Sequence, residues 1–324
     1  MDKYKLVPIF VPHLGCPNDC VFCNQRQISG QMKQTSIEEV YKILEKAKEQ
    51  MGDVLEVAFY GGSFTAICES LQNELLDVAL KFTQRIRVST RPDAINRDIL
   101  TRLKSKGVKI IELGAQSMCD DILIHSKRGH TALDTKTASK LIKEFGFTLG
   151  LQTMVGMPFD TYDNLIYTTN EICKLEPDFV RIYPIVVLKD TELYNMYKNG
   201  EYTPLSIDDA VDLCADTLEI YRKNKIKVIR IGLNPSEDLS SDEELTGAYH
   251  PALGQMVSSK IYFNKMVKLI ENYKEHDVTF GVNKSEISTA IGQKRINAIK
   301  LYNEYNKTIK IKATDIEKNE IVIL

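Results

Sequence analysis

Cys16, Cys20 and Cys23 stand at C-x3-C-x2-C spacing within Leu14-Gly15-Cys16-Pro17-Asn18-Asp19-Cys20-Val21-Phe22-Cys23-Asn24, with an aromatic residue directly before the last thiol. Three thiolates on one short loop can hold three corners of a cubic 4Fe–4S cluster, whereas an electron-carrying cluster takes four. A cube held at three corners keeps one iron open for a substrate. His13, three residues before Cys16, leaves a second chemistry open. H-x2-C-x3-C-x2-C supplies four ligands of the kinds that hold tetrahedral zinc.

The elements that must position these thiols alternate regularly. Strand-like runs at 6–12, 55–60, 86–90, 108–113, 148–155 and 179–183 are separated by helix-period stretches at 36–50, 70–83, 97–106, 134–145 and 161–175. Alternating strand and helix implies a parallel sheet with helices outside. Six such units are too few for a closed eight-stranded barrel. The expected fold is α/β, a partial (β/α)6 TIM-like barrel with a small α+β C-terminal extension. Residues 1–235 are expected to form the core, 236–258 a connecting segment and 259–324 the extension. Within the core, helices at 191–198 and 206–224 and a strand at 227–233 follow the six units. The extension is too small to bury its apolar faces alone. It is expected to pack on the barrel's open side, near the substrate entrance.

In parallel barrels, ligand-binding groups collect at the C-terminal ends of the strands. The unusual residues of this chain fall there. The second strand ends in Gly61-Gly62-Ser63-Phe64-Thr65, where paired glycines let backbone approach a ligand closely. The third ends in Ser89-Thr90-Arg91-Pro92-Asp93, and the fourth carries Glu112 and Gln116 in apolar surroundings. Gln152 lies in the fifth, and the sixth ends in Arg181-Ile182-Tyr183-Pro184. Each motif alone is weak; their succession on strand after strand is the signal.

The formal net charge is −2, so the whole molecule is not a basic nucleic-acid binder. Between residues 260 and 312 the balance reverses, with lysine and arginine exceeding acids and Tyr262, Phe263, Tyr273, Tyr302 and Tyr305 interleaved. Such a stretch suits RNA phosphates and bases, and equally suits the two faces of amphipathic helices. No run approaches a membrane span, and the start lacks the apolar segment of a secretory signal. Cysteines outside the triplet are scattered. A reducing cytoplasm and no membrane partner are expected.

Taken together, these motifs resemble the radical S-adenosylmethionine (radical SAM) superfamily, whose cysteine loop has this spacing and this aromatic. GGSF, STRPD, ELGAQS, Arg128-Gly129-His130-Thr131, QTMVGMP and RIYP resemble more closely the branch containing the catalytic subunit of Elongator. The resemblance covers about residues 5–235. That subunit spaces its cysteines more widely and carries an acetyltransferase domain, so the nearer likeness is to stand-alone bacterial relatives.

The resemblance implies one 4Fe–4S cluster on Cys16, Cys20 and Cys23, and S-adenosylmethionine (SAM) held by Phe22, Gly61, Gly62, Ser63, Ser89, Gln116, Arg128 and Gln152. Phe22 matches a position beside the adenine, the glycines and Ser63 face the methionine ammonium, and Arg128 faces its carboxylate. Arg181, Tyr183 and His250 are the candidate substrate contacts. The implied activity is reductive cleavage of SAM to a 5′-deoxyadenosyl radical that abstracts hydrogen, with a flavodoxin or ferredoxin as electron donor. A tRNA is one implied substrate. A tetrapyrrole or other small molecule is the alternative, through likeness to oxygen-independent coproporphyrinogen III oxidase. A non-enzymatic zinc or RNA-binding protein is the third reading.

Overall fold

The computed structural model describes residues 4–11, 16, 18–24, 36–53, 55–233 and 245–324. His13 and residues 236–244 of the expected connecting segment lie outside these. Seven parallel strands form one curled, open sheet. Its order follows the chain: β1 (Lys5–Val11), β2 (Leu55–Gly61), β3 (Ile86–Thr90), β4 (Val108–Gln116), β5 (Thr148–Val155), β6 (Phe179–Pro184) and β8 (Lys227–Ile231). The half-barrel agrees with expectation, and the strand count exceeds it by one. The strand expected near residue 227 was not placed in the sheet by periodicity, because two helices separate it from β6. It nevertheless pairs parallel with β6, Phe179 opposite Lys227. A two-residue strand β7 (Val186–Val187) pairs antiparallel with β9 (Thr246–Gly247) just beyond the sheet.

Polar caps set where several helices start. Ser36 and Glu39 form a reciprocal capping box at Ile37–Met51, and Thr131 with Asp134 does the same at Ala132–Glu144. Asn96, Thr161 and Ser206 accept the first free amides of three further helices. These caps fix where the helices begin. The main core lies between the outer face of the sheet and these helices, with Val57, Phe59, Val88, Ile111, Leu149 and Val180 fully or almost fully buried.

The chain after β9 begins with the helix Leu253–Ile270, which lies along Ile207–Lys223. Leu253, Val257 and Ile261 join the main core, and Lys260 pairs with Asp212 at 2.7 Å. A second, smaller core gathers Tyr262, Phe263 and Met266 under a three-stranded sheet. There β10 (Asp277–Asn283) is central, parallel to β11 (Thr308–Thr314) and antiparallel to β12 (Ile321–Ile323). No helix among the described residues is long and apolar enough to cross a membrane.

Close approach of β1 and β2 needs a glycine where β2 ends. Gly61 has φ +108°, and a Cβ there would stand 2.4 Å from the Val11 carbonyl oxygen. Gly52 also has positive φ (+77°) but faces open space. Gly61→Ala should lower unfolding free energy by more than about 1 kcal/mol and by more than Gly52→Ala does, since only Gly61 adds a backbone clash to the φ strain. Paired urea titrations read the difference.

Candidate active site

One cavity opens where the strands end, and Cys16, Cys20 and Cys23 all line it. None of the three is in a disulfide; Cys20 is buried and the other two are partly exposed. Parts of the chain distant in sequence hold the loop. Val21 donates its amide to the Ser126 carbonyl (3.2 Å) and accepts from the Leu193 amide (2.8 Å), while Asn24 Nδ2 donates to the Lys189 carbonyl (2.9 Å). Asn18 packs on Gly129, where any Cβ would fall 2.2 Å from its Nδ2. Burial pushes the Cys16 thiol up, and a backbone hydrogen bond from Ser63 with the charges of Arg128 and Arg91 opposes this. Among the described residues no three acidic, histidine or cysteine side chains converge to hold a single metal ion.

Arg128 reaches one of these thiols. Its Nη1 lies 3.4 Å from Cys20 Sγ and its Nη2 donates to the Gly114 carbonyl at 2.7 Å. Nε is buried and has no partner among the described residues. Gly114 makes this seat possible: a Cβ there would meet Arg128 Nη2 at 2.7 Å and Gln116 Nε2 at 2.9 Å. Beneath it Arg91, only 2% exposed, holds Asp93 through Nε and Nη2 and donates Nη2 to the Arg128 carbonyl at 2.5 Å. Arg91 Nη1 is also buried without a partner. A buried, unanswered guanidinium N–H costs free energy, and an anionic ligand is one group that would satisfy it.

The rest of the rim comes from successive strands. Gly61, Gly62, Ser63, Ser89, Gln116, Gln152 and Phe22 all line the cavity. Ser63 Oγ lies 2.7 Å from Thr90 Oγ1, which lies 2.5 Å from Thr65 Oγ1, so β2 and β3 end in a fixed hydroxyl chain. Gln116 takes φ +65° at a break in the β4–β5 register, which turns its amide to meet Gln152 Nε2 at 3.3 Å.

Arg181 and Tyr183 reach the cavity, and His250 does not. The His250 ring instead accepts the Ala252 amide through Nδ1 at 3.0 Å, at the entry to helix Leu253–Ile270. Among the described residues, none beyond Leu233 lines the cavity.

Arg181 is already engaged. Its Nε donates to Glu112 Oε2 (2.7 Å) and its Nη2 to Tyr60 Oη (2.8 Å), while Arg87 Nη1 donates to Glu112 Oε1 (2.5 Å). Arg87 also grips Glu56 through Nε at 2.7 Å. Burial opposes the charge on Arg181, but Glu112, Tyr183 and Tyr60 together outweigh it and raise the guanidinium above its ordinary range. Burial and Glu112 push the Tyr60 phenol up, so it stays protonated. Sequence reading places the Arg91 guanidinium at the rim of the third strand, where it lines the cavity. It missed Tyr60 and Asn18 as wall residues, which carry no local signal.

Comparison with known proteins agrees with this geometry. Residues 10–172 match the Radical SAM superfamily model and 177–262 the Radical_SAM C-terminal domain. An uncharacterized protein of Methanocaldococcus jannaschii is 32% identical over 67% of this chain and 72% of its own length. The tRNA uridine(34) acetyltransferase of the same organism is 32% identical over 52% of this chain, which spans only 31% of that enzyme. The solved Elp3 of Methanocaldococcus infernus, 23% identical, superposes with TM-score 0.63 over 81% of this chain and 63% of its own.

Removing the Glu112 carboxylate would leave Arg87 and Arg181 partly unanswered in a buried setting. Glu112→Ala should cost about 3–5 kcal/mol, the range for breaking a buried pair, read from urea unfolding. His130 gives a pH signature. Burial, then Arg128 and Arg91, lower its pKa to about 4, and its ring meets the Ala115 carbonyl at 3.2 Å through Nε2. The unfolded chain therefore binds the extra proton first. Stability is full above about pH 6.5 and falls as pH drops toward 4. In the apoprotein, His130→Asn should flatten the urea midpoint across that window.

Proposed function

This chain belongs to the Radical SAM superfamily, and on that premise we propose that it is an enzyme that cleaves SAM reductively to modify a tRNA nucleoside. The family's cofactors are one 4Fe–4S cluster and SAM. When bound and reduced, that pair supplies a 5′-deoxyadenosyl radical for hydrogen abstraction, and the hard chemistry is the cofactors' own.

The observation that carries the assignment is Arg128, set against Cys20 with a buried N–H left over. Cys16, Cys20 and Cys23 would hold the cluster. Arg128 would pair with the methionine carboxylate, a fork-shaped cation being suited to it. Gly61 and Gly62 admit close backbone approach, with Ser63 locked beside them by Thr90. The Gln116–Gln152 amide pair, Ser89 and Phe22 would face the nucleoside end. No side chain need move a proton. The Glu112–Arg181–Tyr60 group holds the inner wall rigid, and Arg181 and Tyr183 present their remaining surface to a substrate.

The choice of tRNA rests on the 32%-identical acetyltransferase named for tRNA uridine(34). Coproporphyrinogen III oxidase from Escherichia coli, at 15% identity and TM-score 0.51, shares the fold. A low-potential flavodoxin or ferredoxin would supply the electron.

Anaerobic reconstitution should give about four iron per chain and broad iron–sulfur absorbance. Replacing Cys16, Cys20 or Cys23 by alanine should abolish or destabilise the cluster, while Cys214→Ala should not. Stoichiometric zinc without iron uptake would sink the assignment. Arg128→Ala should weaken SAM binding at least about tenfold by isothermal titration, the scale of a charge-assisted pair removed. Gly114→Ala should weaken it less, by displacing the same guanidinium. Unchanged affinity in both would mean the carboxylate is held elsewhere. Nucleoside profiles of tRNA from a deletion strain and its parent test the substrate: a missing modified nucleoside supports tRNA, and identical profiles reject it.

A further inference from the structure

The geometry points to a docking face for single-stranded RNA on the small C-terminal sheet, formed by the loop 292–295, the helix Ile296–Tyr305 and the edge strand β11. The inference rests on the tRNA reading above and concerns how the substrate is held, not how it is changed.

Charge is the first argument. Residues 293–312 hold six lysines and arginines and one acid, in a chain whose formal net charge is −2. Lys294, Arg295, Lys310 and Lys312 are exposed, and none has an ion-pair partner among the described residues. Lys310 and Lys312 stand two apart on β11, hence on one face of a strand whose other neighbour is missing.

Apolar exposure is the second. Ile296, Ile299 and Tyr302 recur every third residue along one side of their helix and are 41%, 49% and 57% exposed. An amphipathic helix normally buries such a stripe. Here the same helix buries Asn297 and Leu301 on its inner side instead. A cationic rim around an aromatic and aliphatic strip suits a polyanion whose bases are unstacked, because bases stack on rings while phosphates meet lysine and arginine.

The loop is held on helix Leu253–Ile270. Asn297 Nδ2 donates to the Ser259 and Ala290 carbonyls at 3.0 and 2.9 Å, and Gln293 Nε2 reaches Gln255 Oε1 at 3.4 Å. A Cβ at Gly254, next to Gln255, would lie 3.7 Å from Ile231 at the C-terminal end of β8. The loop thus packs on the start of a helix that begins beside the end of that strand. Gly292 has no room for a side chain, since a Cβ would lie 2.7 Å from both Ser259 Oγ and Ile296 Cγ2. KH modules clamp single-stranded backbone with a Gly-x-x-Gly loop between two helices. This loop joins helices Ile287–Ile291 and Ile296–Tyr305 as Gly292-Gln293-Lys294-Arg295, with a cation at the last position.

The test is fluorescence anisotropy of a labelled RNA hairpin with an unpaired loop against the full chain, across a salt series. Wild type should bind, with affinity falling linearly in log salt. The double variant Lys294→Glu/Arg295→Glu should bind at least about tenfold more weakly, with the salt slope reduced by about 2, one for each phosphate no longer neutralised. Tyr302→Ala should weaken binding at an unchanged slope. The matched reversal Lys42→Glu/Lys46→Glu, on the exposed side of helix Ile37–Met51, should leave binding as in wild type. Equal binding by wild type and the Lys294/Arg295 variant, or an equally large weakening in the Lys42/Lys46 control, overturns the face while leaving the RNA reading intact. Wild type that does not bind the hairpin at low salt overturns both. Circular dichroism and SAM cleavage without RNA should match wild type in every variant; a variant losing either is replaced by Lys310→Glu/Lys312→Glu, judged by the same criteria.

Discussion

The Glu112 carboxylate, buried between Arg87 and Arg181, is the interaction around which the inner side of the half-barrel is arranged. A closed barrel fills its interior with layers of branched apolar side chains. An open sheet of seven strands has a concave side that must also admit a ligand. Here β2, β3, β4 and β6 supply Tyr60, Arg87, Glu112 and Arg181 to one hydrogen-bonded group. Burying charges is costly unless each is paired, so the group fixes strand order and inclination together. Hydrophobic area alone would tolerate a slip that this pairing forbids.

From that wall the site follows outward. The end of β4 must turn sharply to bring Gln116 over the cavity, and the register break after Gly114 achieves it. The same glycine leaves the space into which Arg128 folds. Arg91 then supports Arg128 from below by donating to its main-chain carbonyl, and among the described residues no carboxylate pairs with the Arg128 guanidinium. Binding capacity is thus produced by what the protein declines to pair.

Much of this was legible in the sequence because it lies at strand ends, where motif and position coincide. Cys16, Cys20, Cys23, the glycine pair, Gln116 and Gln152 share one cavity, as their order along the strands implied, and Arg128, singled out only by the family resemblance, joins them there. His250 misled because a histidine next to proline looks chemical locally, while its ring serves a backbone amide. Tyr60 was hidden because an aromatic in a buried strand reads as core, and only a neighbour from β6, 121 residues away, reveals its hydroxyl's task. The seventh strand escaped placement for a related reason: periodicity identifies a strand but not its partner across a long crossover.

The cysteine loop is made early and fixed late. Its thiols occupy the first two dozen positions, yet the two carbonyls and the amide that shape it come from Ser126, Lys189 and Leu193. On a ribosome, the segment carrying Cys20 emerges long before those partners exist. Strand-by-strand growth of the sheet is local and can proceed without it, since each new strand docks on the one before. A nascent chain halted before Leu193 therefore lacks part of what shapes the loop. The loop takes its final form only after the sixth strand has docked, which makes its formation a matter of timing as well as geometry.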